Sequence, residues 1–267
     1  MDDWSALADL RGGMPALPAG HVWLAGAGPG DPGLLTLYAL AGLTHADVIV
    51  HDALVDKRVL ALAGPQARLE FAGKRGGRPS ALQADISKRL IELAKEGRRV
   101  LRLKGGDPCI FGRGGEEAMA LAAAGVPFRI IPGVTSGLAA LAAASIPATV
   151  RQVNRAVILA AGHQGGENDG YDWGPLARTG EPIVLYMVMH NLERVADALI
   201  AAGRDAKTPA AIIAAATTPA ERTIVSTLEC MAADARENGL ESPAVVVVGE
   251  IVRLRDHLLA AAPERKR

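Results

Sequence analysis

The stretch Val100-Leu101-Arg102-Leu103-Lys104-Gly105-Gly106-Asp107-Pro108 decides the fold once its flanks are read with it. Val100 to Leu103 reads as a strand, and the glycines and proline after it stop the strand in a loop. Upstream, Ser80 precedes Leu82, Ile86, Leu90 and Leu93 at helical spacing, and Gly97 stands where a carboxy-terminal cap belongs. Downstream, Glu116 to Ala124 reads as a helix and Phe128 to Ile131 as another strand. Working back toward the amino terminus, Val22 to Ala25 is a short apolar strand, Leu34 to Leu43 a helix-like stretch and Val48-Ile49-Val50 a β-branched run. Strand and helix in alternation predict βαβ units and a mostly parallel sheet.

At Pro132-Gly133 the rhythm changes. A small-residue helix, Thr135 to Ala144, precedes strand candidates at Arg155–Ala161, Ile183–Met189, Ala210–Ala216, Arg222–Leu228 and Ala244–Val248. One strong helix, Asn191 to Ala202, sits among them with Asn191 as its expected cap and Gly203 as its stop. Thr217-Thr218-Pro219 reads as a hairpin turn, so this half is expected to hold a mixed sheet. The expected organisation is a loose leader over 1–20, an α/β domain over 21–133, a second α/β domain over 134–257 and a tail over 258–267.

Composition excludes several function classes. The 267 residues carry 29 Lys+Arg against 29 Asp+Glu, which leaves no general field for nonspecific nucleic-acid binding. Three each of Phe, Tyr and Trp leave little with which to stack bases. No apolar run is long enough to span a bilayer, since the longest candidate, Val134 to Val150, is interrupted by Thr135, Ser136, Gly137, Ser145 and Pro147. Met1-Asp2-Asp3 opens the chain without a basic, apolar secretory start, so a cytoplasmic location is expected. Cys109 and Cys230 form no Cys-x-x-Cys pair and the six histidines form no metal-ligand spacing, so neither a disulfide framework nor a metal is expected. Phosphate-loop and Gly-x-Ser-x-Gly motifs are likewise missing, which disfavours nucleotide-driven and serine-hydrolase chemistry.

Four glycine loops remain. Gly26-Ala27-Gly28-Pro29-Gly30-Asp31-Pro32 follows the first strand, but its spacing departs from a dinucleotide fingerprint and its prolines lack the N–H groups of a phosphate cradle. Such a loop lets a ligand approach the end of a strand without interference from side chains. In Lys104-Gly105-Gly106-Asp107-Pro108, one carboxylate beside two glycines suits a ribose or an α-amino group. Gly73-Lys74-Arg75-Gly76-Gly77-Arg78 and Phe111-Gly112-Arg113-Gly114-Gly115-Glu116-Glu117 set arginines among glycines, a pattern that suits an anionic ligand.

In order and spacing these loops, with His51-Asp52-Ala53-Leu54-Val55, Pro132-Gly133-Val134-Thr135-Ser136, Tyr186-Met187, Thr217-Thr218-Pro219 and Ser242-Pro243-Ala244, resemble the uroporphyrinogen-III C-methyltransferases of the tetrapyrrole methylase family over roughly residues 21–255. The resemblance implies two αβα domains, the first with a mostly parallel sheet and the second with a mixed one, and an active-site cleft between them. It implies S-adenosylmethionine (SAM) as cosubstrate, S-adenosylhomocysteine as product, and methylation of uroporphyrinogen III at C2 and C7 to precorrin-2, via precorrin-1, in cobalamin or sirohaem biosynthesis. It further implies a homodimer, with no metal, nucleic acid or membrane. By position it puts Pro29, Gly105, Gly106, Asp107, Ile110, Thr135, Ser136, Met187, Ala216 and Ala244 against SAM. Asp52 and Lys74 match its proton acceptor and donor, and Arg113 and Arg151 match groups that hold the acidic macrocycle. Cys109, Val150, Ala161 and Ala216 depart from the family's usual residues. A methyltransferase for a later precorrin and a noncatalytic SAM- or tetrapyrrole-binding module are the competing expectations.

Overall fold

A computed structural model describes residues 15–72, 83–162 and 171–261. The chain divides into two compact units, Met1–Thr135 and Ser136–Arg267.

The first unit holds β1 (Val22–Gly26), α1 (Leu37–His45), β2 (Val48–His51), α2 (Lys57–Leu60), β3 (Arg68–Phe71), α3 (Gln83–Lys95), β4 (Val100–Lys104), α4 (Gly114–Ala123) and β5 (Phe128–Ile131). Its five strands lie in the order β3-β2-β4-β1-β5, all parallel. Alternation along β4 sends Leu101 and Leu103 to one face of the sheet and Val100 to the other. On the first face they share a core with Ala39 and Leu43 of α1 and Val59 of α2. On the other, Val100 joins Leu90 and Leu93 of α3 and Ala118 and Leu121 of α4. The helices thus split two and two, as right-handed crossovers require when the chain first winds outward from β1 and then returns through β4.

Three details differ from the sequence reading. The first helix starts at Leu37 rather than Leu34, because Pro32–Leu34 forms a 3₁₀ turn and the Thr36 side chain then accepts from Ala39 N. The short α2 and β3 carry too few apolar repeats to stand out in the sequence. Leu17, assigned to a loose leader, is buried in the core beside Trp23.

The second unit holds α5 (Ser136–Ala143), β6 (Ile158–Ala161), α6 (Gly174–Arg178), β7 (Ile183–Tyr186), α7 (Leu192–Ala201), β8 (Pro209–Ala214), β9 (Arg222–Thr227), α8 (Met231–Glu237), β10 (Ala244–Val248) and α9 (Leu254–Ala261). Its sheet runs β6-β7-β10-β8-β9, mixed as expected: β6 and β7 are parallel, and β10 lies antiparallel to β7 and β8. The β8–β9 pair is the hairpin that Thr217-Thr218-Pro219 indicated. Two strands end earlier than their apolar runs suggest, because Met187 and Ala215 take positive φ, 51° and 48°, and leave the ladder. Asn191 precedes α7 but makes no cap bond, its amide donating instead to the Gly162 carbonyl. The small-residue helix α5 starts at Ser136 rather than Thr135.

Candidate active site

In the first unit β1 and β4 are neighbours, yet the chain leaves β1 toward β2 and leaves β4 toward β5 on the opposite side. This is a topological switch point, and in open α/β sheets the crevice beyond the strand ends there takes ligands. The two glycine loops meet at that point. Gly28 N donates to Gly106 O at 3.2 Å, and Gly106 N donates to Gly28 O at 2.8 Å. A third backbone closes in after β5: side chains at Gly26 or Gly133 would collide with the Gly106 carbonyl and with each other's main chain. Glycine is required here by close approach rather than by turn geometry.

Asp107 ties this junction together. Its Oδ1 accepts from Cys109 N at 2.8 Å and its Oδ2 from Gly133 N at 3.0 Å, so one carboxylate spans the loops after β4 and β5. Around the junction Leu54, Ile110, Phe111 and Val134 are exposed apolar groups, and Pro29 and Gly105 are half-buried. Phe111 and Arg113 both take positive φ, 54° and 61°, in a turn closed by Gly114 N donating to Pro108 O. The Arg113 guanidinium is exposed and pairs with Glu116 at 2.6 Å.

Beneath the same edge lies a charge cluster that sequence reasoning missed. Arg102 and Lys104 point to the α3–α4 face of β4, and both are buried. Glu117 of α4, fully buried, accepts through Oε1 from Arg102 Nε, Lys104 Nζ and Gln83 Nε2 at 3.1, 3.1 and 2.9 Å. Its Oε2 has no hydrogen-bond partner among the described residues. Arg102 Nη2 also donates to Asp52 Oδ1 at 2.6 Å, and Lys104 Nζ lies 3.5 Å from Asp52 Oδ2. The signal was present: a strand covered on both faces should be an unbroken apolar run, and charges at every second position of β4 demand a buried counter-charge. Lys74, the other expected proton-transfer residue, lies outside the described residues.

In the second unit Met187, Ala216 and Ala244 share one edge of the sheet. Ala244 opens β10 opposite Ala214, and continuing the β10–β7 register sets it beside Met187. Met187 is half-exposed. Ala215 N donates to Pro243 O, and Thr217 N to Glu221 Oε2, which fixes the loop after β8. Left-handed backbone at Met187, Ala215 and Thr217 without glycine is the kind of strain that gathers at ligand sites. Thr135 is buried and Ser136 half-buried just before and at the start of α5. Next to them Gly137 N donates to the Tyr186 hydroxyl. Arg151 is exposed in the turn that leads into the amino end of β6. No group of three or more metal-ligating side chains occurs among the described residues.

A parallel sheet with its glycine junction at the switch point, and a separate mixed sheet whose strand ends carry left-handed non-glycine backbone, define a two-unit α/β class. The family model for Tetrapyrrole (Corrin/Porphyrin) Methylases matches residues 21–232, and the chain belongs to that family. It is 55% identical over 249 residues to a Uroporphyrinogen-III C-methyltransferase from Sinorhizobium sp, covering 92% of this chain and 89% of that one. It is 43% identical to a Siroheme synthase of Pseudomonas aeruginosa, of which it spans about half the length, 54%, with 93% of its own. Among solved structures, the Uroporphyrin-III C-methyl transferase from Thermus thermophilus complexed with S-adenyl homocysteine superimposes with a TM-score of 0.75 at 40% identity, over 88% of this chain and 99% of that one. A cobalt precorrin-4 methyltransferase gives a TM-score of 0.78 at 29% identity, over 90% and 98%.

Proposed function

We propose that this chain is a SAM-dependent C-methyltransferase that methylates uroporphyrinogen III at C2 and C7, giving precorrin-2 by way of precorrin-1. The observation that carries the reading is the close junction of Gly28, Gly106 and Gly133 at the switch point, with exposed apolar side chains around it. Such a seat suits the adenosyl and amino-acid parts of SAM. Pro29, Gly105, Gly106, Asp107 and Ile110 would contact it, and the same role is proposed position by position for Thr135, Ser136, Met187, Ala216 and Ala244.

The sulfonium of SAM supplies an activated methyl group, so the protein's work is alignment and exclusion of water. A pyrrole carbon attacks the methyl carbon, the carbon–sulfur bond breaks, and S-adenosylhomocysteine leaves as the neutral thioether. The macrocycle must then lose a proton. Asp52, partly exposed at the end of β2, is the proposed acceptor. Lys74 is the proposed donor, and Arg113 and Arg151 would pair with the acetate and propionate groups of the ring. Arg113 already holds a carboxylate, that of Glu116, in the geometry such a pairing needs. A homodimer and a cytoplasmic location belong to the same proposal on the strength of the family alone.

Purified protein incubated with SAM and uroporphyrinogen III, with products counted by mass, tests the reading. Addition of two methyl groups is expected. Absence of methylated product, or turnover only with a later precorrin, would replace it with one of the competing readings.

A further inference from the structure

We propose that Glu117 is a positioning residue for Asp52, acting through Arg102 and Lys104. The inference rests on Asp52 being the proton acceptor of the proposed reaction. Glu117 touches neither Asp52 nor the open edge, but it holds both cations that do. Arg102 is held at four points: Nε on Glu117, Nη1 on the Val50 carbonyl at 3.3 Å and the Leu103 carbonyl at 3.5 Å, and Nη2 on Asp52. With Nε and Nη1 held, the planar guanidinium turns Nη2 toward Oδ1 of Asp52. Lys104 shares its ammonium between Glu117 Oε1 and Asp52 Oδ2, so both Asp52 oxygens face a cation that Glu117 anchors.

The cluster is dry at one end and open at the other. Glu117, Arg102 and Lys104 have side chains at most 4% exposed, whereas Asp52 is 29% exposed. A core ion pair kept only for stability would not need the sheet edge. This one delivers a carboxylate to it, held by Arg102 and Lys104 at the end of β2. The charged groups around Asp52 among the described residues are Arg102 and Lys104 from β4 and Glu117 from α4. Arg113 and Glu116 at the start of α4 are paired with each other, and His51 on β2 turns its Nδ1 to the Asp52 carbonyl at 3.2 Å.

The test compares turnover of the full-length protein with SAM and uroporphyrinogen III in Glu117→Gln, Asp52→Asn and the double variant. Glu117→Gln should lower kcat about tenfold, from loss of alignment, with the SAM dissociation constant unchanged. The residual turnover of Asp52→Asn should not fall further when Glu117→Gln is added, because the effect of Glu117 passes through Asp52. A general loss of folded protein would lower turnover in both backgrounds alike. If Glu117→Gln does not fold, Glu117→Asp takes its place in the same comparison. An equal loss in the two backgrounds overturns the inference, as does parental kcat in Glu117→Gln where Asp52→Asn is inactive. Full turnover in Asp52→Asn would instead remove the proton-acceptor reading.

Discussion

Asp107 illustrates how a residue type picked from sequence for a ligand takes a structural role in three dimensions. A carboxylate beside two glycines suits a ligand, and here both of its oxygens accept backbone N–H groups from two loops. Asp107→Ala would leave those donors without a partner, at a cost of about 1–3 kcal/mol if they stay dry. Chemical denaturation should therefore show a lower midpoint for Asp107→Ala, with weaker SAM binding by calorimetry. Weaker SAM binding at an unchanged midpoint would make Asp107 a ligand contact alone. Backbone strain gives a second test at this scale. Ala215 sits at φ 48°, where a Cβ costs roughly 1–2 kcal/mol. Ala215→Gly should be neutral or stabilising despite glycine's entropy in the unfolded chain. Ala214→Gly, one position earlier in the paired strand β8, should destabilise by about 1 kcal/mol.

At the scale of elements, the amino ends of β2 and β4 are joined by Asp47 and Arg99. Arg99 donates its backbone N to Asp47 Oδ2 at 2.8 Å, and its Nε and Nη2 to Oδ1 at 3.1 and 2.6 Å. These bonds hold the Asp47 carboxyl below the ordinary carboxylate range, the Arg99 side chain contributing most. The stability they supply is thus present above about pH 4, where the unfolded carboxyl ionises, and is lost as the pH falls through the depressed folded value. Thermal midpoints of the parent and Asp47→Asn should differ at neutral pH and converge on acidification. A gap that stays constant with pH would remove the ionic part of this tie. Elements also explain what the sequence hid. The helix α3 announces itself through Ile86, Leu90 and Leu93, but α2, with four residues and one buried side chain, has no periodicity to read. The strand β3 is a sheet edge whose exposed Arg68 and Leu69 look like any surface segment.

For the whole molecule, a ligand that binds only the folded chain raises its stability by mass action, by about 2.7 kcal/mol at one hundred times its dissociation constant. SAM should accordingly raise the thermal midpoint by several degrees, and by less in Asp107→Ala; a midpoint indifferent to SAM at that excess would deny the seat a ligand. Sequence by itself determined the alternation of strands and helices, the glycine-rich strand ends and the family likeness. All three are local: periodicity, turn chemistry and short ordered motifs survive in one dimension. Tertiary structure alone decided that β4 lies beside β1, which brings Gly28 and Gly106 into hydrogen-bond contact and packs Glu117 between Arg102 and Lys104. Strand order is set by which faces bury together across long loops, and no single segment records it.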